Sequence, residues 1–226
     1  MGYAPAIREQ VSVQQFYGPG VRRVFMGIYN NILLATAETR QRNFLICAAN
    51  VGEGGTTVAI GLALAAAEVQ NRPVLLIDGN FSQPRVCAAF GLPELYGFGD
   101  CLAGRIEAAS AVLATAFPPL KVMGAGVAPL NHISLLEAPA CKNLLECLNQ
   151  EYATIIIDGP AVNLFPESVL YAAQVDRTFL VVHAGITRVQ VVDTALAKLD
   201  PNGSAPVDLI LNRRTFPIPP WIYRRL

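Results

Sequence analysis

Lysine is scarce in this chain: only Lys121, Lys142 and Lys198 occur among 226 residues, against fourteen arginines. None of the three lies near the glycine-rich stretch described below. Charge of either sign is thin, at 15% of residues with a formal net charge of +0, which excludes a general nucleic-acid-binding surface. The local exception is the end of the chain, where Arg213, Arg214, Arg224 and Arg225 crowd together. The five cysteines, Cys47, Cys87, Cys101, Cys141 and Cys147, are odd in number and contain no Cys-x-x-Cys pair, so neither a disulfide framework nor a zinc site is indicated. They are expected to be reduced, buried thiols. His132 and His183 are the only histidines, each without an evident carboxylate or serine partner, and both are expected to be structural. No signal peptide is visible, and the longest apolar run, residues 58–67, falls short of the roughly 20 residues that cross a bilayer. The expected location is therefore the cytoplasm.

What is present is apolar bulk. A hydrophobic share of 53% over this length fits one sizeable α/β domain with a parallel sheet covered on both faces. Residues 1–20, with Pro5, Gly18, Pro19 and Gly20, read as a flexible leader. Val24, Phe25, Ile28, Ile32 and Leu33 then recur at helical spacing over residues 21–37. Residues 44–48 predict a strand, 50–55 a glycine-rich loop and 56–69 a helix; Asn71-Arg72-Pro73 breaks it before a buried strand over 74–78. Residues 91–116 read as loop and short helix, 121–123 as a strand, 124–131 as a loop and 135–148 as a helix. Strand (153–158), helix (166–173), strand (177–183), helix (189–199) and strand (207–212) follow. The alternation predicts a doubly wound, mostly parallel sheet with helices on both faces, spanning residues 21–212 and followed by a tail over 213–226. In such folds ligands bind outside the carboxyl ends of the strands.

A phosphate-binding loop needs backbone N–H groups turned around an anion at a helix N-terminus, and glycines permit the angles this requires. Ala49-Asn50-Val51-Gly52-Glu53-Gly54-Gly55-Thr56-Thr57 offers such a loop between a strand and a helix, close to the P-loop pattern of Gly-Lys-Thr at the helix start. Gly55 stands where the lysine belongs. Thr56 keeps the hydroxyl that sits on Mg²⁺, while Asp78 and Asp158 end buried strands where carboxylates can orient that ion or a water.

With these motifs the chain resembles the bacterial tyrosine kinases of polysaccharide export, relatives of the deviant-P-loop ATPases that position septa and partition DNA. Residues 51–57 are similar to that family's Pro-Gly-Glu-Gly-Lys-Thr-Thr except at the proline and the lysine; Leu75-Leu76-Ile77-Asp78-Gly79-Asn80 with Pro84 resembles its second acidic motif; and Ile156-Ile157-Asp158-Gly159-Pro160 resembles its Walker B segment. The resemblance implies a P-loop NTPase-like fold that takes ATP or ADP with Mg²⁺. Gly52, Glu53, Gly54, Gly55, Thr56 and Thr57 would then bind the nucleotide, Asn212 would lie beside the adenine or else cap a turn, Thr56, Asp78 and Asp158 would hold the metal, and the two aspartates would serve an impaired catalysis. It implies as partner an inner-membrane polysaccharide co-polymerase or its cytoplasmic segment, with peripheral attachment to the inner face of that membrane and self-association.

The departures point the other way. Asn80 replaces the second acid, Arg23, Met26 and Tyr29 occupy the places of a Glu-x-x-Arg-x-x-Arg ring-assembly motif, and Tyr223 alone stands for a tyrosine cluster. The expected function is a degenerate kinase acting as a regulatory or assembly partner in exopolysaccharide synthesis and export, with weak or no nucleotide hydrolysis. Two alternatives stay open: an active ATPase or tyrosine kinase using a substitute cation, for which Arg85 is a candidate, or a structural partner that binds no nucleotide. The segment 216–225, rich in proline, aromatics and arginine, would dock on a partner or headgroups, or wrap its own domain.

Overall fold

The structure, a computed structural model, describes residues 13–36, 43–137, 139–200 and 206–214. In chain order these form α1 (Val13–Phe16), α2 (Pro19–Thr36), β1 (Asn43–Ala48), α3 (Gly55–Gln70), β2 (Val74–Asp78), α4 (Val86–Phe90), α5 (Phe98–Leu102), α6 (Ala108–Ala111), β3 (Val112–Ala114), β4 (Leu120–Met123), α7 (His132–Glu137), α8 (Pro139–Leu148), β5 (Thr154–Asp158), α9 (Glu167–Ala172), β6 (Arg177–His183), α10 (Val189–Leu199) and β7 (Val207–Asn212). The strands make one seven-stranded sheet in the order β3-β4-β2-β5-β1-β6-β7. Every pairing is parallel except β3 with β4.

The absence of polar alternation in the strand sequences follows from burial on both faces. Phe44, Ile46 and Ala48 point to the layer of α2 and α3, whereas Leu45 and Cys47 point to the layer of α5, α8, α9 and α10. Helix α3 is apolar around most of its circumference because it is enclosed, with the sheet beneath it and α2 above. Gly61 makes that close packing possible, since a Cβ there would lie 2.4 Å from ring carbons of Phe25. At the solvent edge of the same contact Arg22 pairs with Glu68, an exposed interaction worth about 0.2–1 kcal/mol. Tyr29, at a place where the family carries an assembly arginine, is 1% exposed and its hydroxyl meets Gln70 and Thr154. It is a core residue.

Four expectations need adjustment. Within the expected leader, residues 13–16 form α1, Val13 is buried, and Phe16 packs edge-on against Phe25; residues 1–12 lie outside the described residues. The single helix over 135–148 is two helices, and Pro139, which has no N–H to donate, opens the second. The short strand β3 lies in the stretch read as loop and helix, three residues being too few to show a period. Cys147 is exposed and Cys101 half-buried, whereas Cys47, Cys87 and Cys141 are buried as expected, and all five are free. The segment 216–225 lies outside the described residues. Among the described residues no helix is long and apolar enough to cross a membrane.

Candidate functional site

Register brings the predicted residues to one end of the sheet. Asp78 and Asp158 are direct partners across the parallel β2–β5 pair, β1 lies on the other side of β5 and leads into the glycine-rich loop, and Asn212 closes β7 opposite His183. The glycine-rich loop turns through two left-handed glycines, Gly52 at φ 87° and Gly54 at φ 98°. Gly54 is the N-cap of α3 and supplies no side-chain hydrogen bond, so the first amides of a 16-residue helix are left for an anion.

The two adjacent glycines at the helix start differ in what holds them there. A Cβ on Gly54 would lie 2.2 Å from Asn212 Nδ2, so contact and backbone angle both demand glycine. A Cβ on Gly55 would meet the Ala48 nitrogen at 3.5 Å and the Ala48 Cβ at 3.6 Å, which is ordinary contact, and the Gly55 backbone is not left-handed. The fold therefore has room for a side chain at the lysine position and does not carry one.

Glu53 stands behind this cradle. Its buried carboxylate accepts from the Asn50 N–H at 3.0 Å, the Asn50 side-chain amide at 3.2 Å and the Thr187 hydroxyl at 2.6 Å. Thr187 in turn accepts from the His183 N–H at 3.0 Å. The Glu53 side chain thus fixes the loop to the turn after β6, and it is not among the residues that line the cleft. Asn212 acts similarly: Nδ2 donates to the Glu53 carbonyl at 2.8 Å, and Oδ1 accepts from the Arg213 N–H at 2.9 Å. The amide expected beside an adenine is engaged as a brace between β7 and the loop.

The two aspartates divide their work. Asp78 Oδ1 accepts from the Asn80 N–H at 3.1 Å, and Oδ2 from the Arg85 and Val86 N–H groups at 2.8 and 2.9 Å. It anchors the loop after β2 and the start of α4. Burial pushes its pKa up to about 6, although those three hydrogen bonds favour the charged form. Asp158 is 1% exposed and neither carboxylate oxygen has a hydrogen-bond partner among the described residues. Burial first and the Asp78 charge second push its pKa well above the ordinary range; the nearby Thr56 hydroxyl and the Arg85 guanidinium pull the other way without satisfying either oxygen. Two buried carboxylates side by side, one of them unpartnered, form an environment that a divalent cation relieves. Among the described residues no cluster of three or more His, Cys, Asp or Glu could hold a metal alone. Mg²⁺ takes one or two carboxylates and completes its shell with phosphate oxygens and water, so Thr56 and Asp158 fit that ion together with a nucleotide.

These elements surround an open cleft of about 380 Å³, within the range of small-ligand sites, lined among others by Gly54, Gly55, Thr56, Thr57, Asn80 and Arg85. Arg85 is exposed, as a surface arginine would be, and also faces the cleft, where Nη2 donates to Gln83 at 3.3 Å. A second cation, Arg213, also lines the cleft and was not legible in the sequence beyond its adjacency to Asn212. His132 does have a carboxylate partner: its Nε2 lies 3.1 Å from Glu167 Oε1, a pairing across 35 positions that sequence order conceals. It is not among the residues that line the cleft, and the His183 N–H donates to Thr187 behind the loop.

No family model matches the chain. The tyrosine-protein kinase YwqD of Bacillus subtilis is 30% identical over 160 residues, covering 71% of this chain and 67% of YwqD. Tyrosine-protein kinase CpsD of Streptococcus agalactiae is 27% identical over 190 residues, 84% of this chain and 82% of CpsD. Among solved structures, the VpsO kinase domain superposes with a TM-score of 0.75 at 29% identity, covering 87% of this chain and 98% of that one. MinD of Pyrococcus horikoshii, solved with Mg-ADP, shares the fold with a TM-score of 0.62 at 23% identity, covering 81% and 76%. With its P-loop NTPase fold, its strand-end aspartates and this kinship, the chain belongs to the family of bacterial tyrosine-protein kinases.

Proposed function

We propose that this chain is a degenerate member of that family. It binds Mg²⁺ with ATP or ADP in the P-loop cleft, transfers phosphate far more slowly than a lysine-bearing site or not at all, and serves at the inner face of the membrane as a regulatory or assembly partner of a polysaccharide co-polymerase. The observation that carries the reading is Gly55: the place of the lysine is sterically open and empty of charge while the rest of the cradle is in order. Removing one preorganised donor from a site of developing charge costs about 10²–10³ in rate, and the loss of a full charge costs at least that. Binding suffers less, because the loop amides and the α3 dipole persist and each charge-assisted hydrogen bond contributes roughly 1.5–3 kcal/mol.

In this reading the Thr56 hydroxyl and the Asp158 carboxylate hold Mg²⁺, which when bound neutralises charge on the phosphate oxygens. Asp78 keeps the neighbouring loop in place, and Glu53, Thr187 and Asn212 keep the cradle in shape. The polysaccharide partner is supported by the sequence resemblance to export kinases. Self-association through the α2 arginine motif is not expected, since Tyr29 is committed to the core. The test compares γ-phosphate transfer from Mg·ATP by the unmodified chain and by Gly55→Lys. The expected result is a gain of about 10²-fold or more in the variant. Transfer by the unmodified chain that the lysine leaves unchanged or lowers overturns the proposal.

A further inference from the structure

We propose that Arg213 is a phosphate-binding residue of the cleft, supplying from the end of β7 a positive charge for the polyphosphate of a nucleoside di- or triphosphate that the loop itself lacks at Gly55. This rests on the nucleotide-binding reading above and adds to it the residue that compensates.

Among the described residues only two non-glycine residues have positive φ, Asn71 at 48° and Arg213 at 54°. Asn71 caps the end of α3, where a left-handed residue is ordinary, and its N–H closes onto the Ala67 carbonyl. Arg213 caps no helix, and an arginine in that conformation is strained where a glycine would not be. What holds it there is the brace already described. The Arg213 N–H donates to Asn212 Oδ1, Asn212 Nδ2 donates to the Glu53 carbonyl, and the Ala184 N–H donates to the Asn212 carbonyl at 2.9 Å. The backbone that turns Arg213 is thus fastened directly to the phosphate loop.

The turn brings Arg213 to the wall of the cleft that holds Gly54, Gly55, Thr56 and Thr57. There its side chain makes no hydrogen bond or ion pair among the described residues, in contrast to Arg22, Arg105 and Arg177, which pair with Glu68, Asp100 and Asp208. Just behind the wall of the same cleft a second feature points independently to a ligand: Asp158, next in sequence to the lining residue Gly159, is 1% exposed with both oxygens unpartnered, and the Thr56 hydroxyl, itself on the wall, stands near it. A Mg²⁺-bound polyphosphate satisfies both ends, giving its metal to Asp158 and its oxygens to the guanidinium fork, whose planar donors suit phosphate better than a single ammonium does.

The test is titration calorimetry of the full chain with Mg·ADP, Mg·ATP and magnesium pyrophosphate, comparing the unmodified protein with Arg213→Gly and Arg213→Lys. Glycine adopts φ 54° freely, so Arg213→Gly should retain or raise the ligand-free melting temperature while removing only the guanidinium. The expected result is about ten- to a hundredfold weaker binding of all three ligands by Arg213→Gly, partial recovery in Arg213→Lys, and restored affinity when Gly55→Lys is added to Arg213→Gly. Unmodified protein that binds while Arg213→Gly binds equally well overturns the role of Arg213 alone. Losses confined to the nucleotides and absent for pyrophosphate overturn the assignment to phosphate. Unmodified protein that binds none of the three overturns the nucleotide-binding reading itself.

Discussion

Asn212 and Glu53, 159 positions apart in sequence, are joined by a 2.8 Å hydrogen bond from a side-chain amide to a backbone carbonyl, which ties the last strand of the sheet to the phosphate loop. The same amide leaves Gly54 no room for a side chain. Gly54→Ala should therefore both strain a left-handed position and displace Asn212, at a cost of about 1–3 kcal/mol in urea unfolding, with weakened Mg·ADP binding. Equal stability in the variant would mean that the brace is loose in solution.

Thr187 offers a gentler probe of the same support. Its hydroxyl is one of three donors to the Glu53 carboxylate, so Thr187→Val removes a hydrogen bond to a buried charge. The expected loss is about 1–3 kcal/mol of stability, read by urea unfolding, together with a raised Kd for Mg·ADP as the loop loosens. Loss of stability with unchanged Kd would separate Glu53 from the shaping of the cradle.

The strand-end acids should behave oppositely on substitution. Both have folded-state pKa values raised by burial, Asp78 from 3.8 to about 6 and Asp158 well above its ordinary value. For a carboxylate with a raised pKa, the favourable contribution is complete below the unfolded value near pH 4 and is lost as pH rises through the folded value. The magnesium-free protein should thus lose stability between about pH 4 and pH 6 and above, over the range where these two groups ionise. Asp158→Asn removes the unpartnered charge and should stabilise the protein at pH 7.5 by about 1–3 kcal/mol, the gain shrinking toward pH 5. Asp78→Ala should destabilise it at pH 5 by a similar amount, because three N–H groups lose their acceptor. Urea unfolding across this pH range checks both signs.

The fold was largely readable because burial on both faces writes strands as continuous apolar runs such as Leu75-Leu76-Ile77 and because Pro73 and the glycine cluster around Gly54 punctuate them. The break at Pro139 and the three-residue β3 escaped, one because flanking helical periodicity ran through the proline and the other because it is too short to have a period. The site was legible where chemistry is local, as in the Gly55 substitution and the aspartates at strand ends. It was not legible where contacts span the sheet: Thr187 with Glu53, Asn212 as a brace, His132 with Glu167 and Arg213 at the cleft all depend on which strand ends neighbour one another.

The central claim, that the cradle still takes a magnesium nucleotide without its lysine, is tested most directly by calorimetric titration of the unmodified chain with Mg·ADP. The predicted result is saturable heat with millimolar or tighter affinity that disappears when magnesium is withheld. A flat titration in the presence of magnesium would contradict the account.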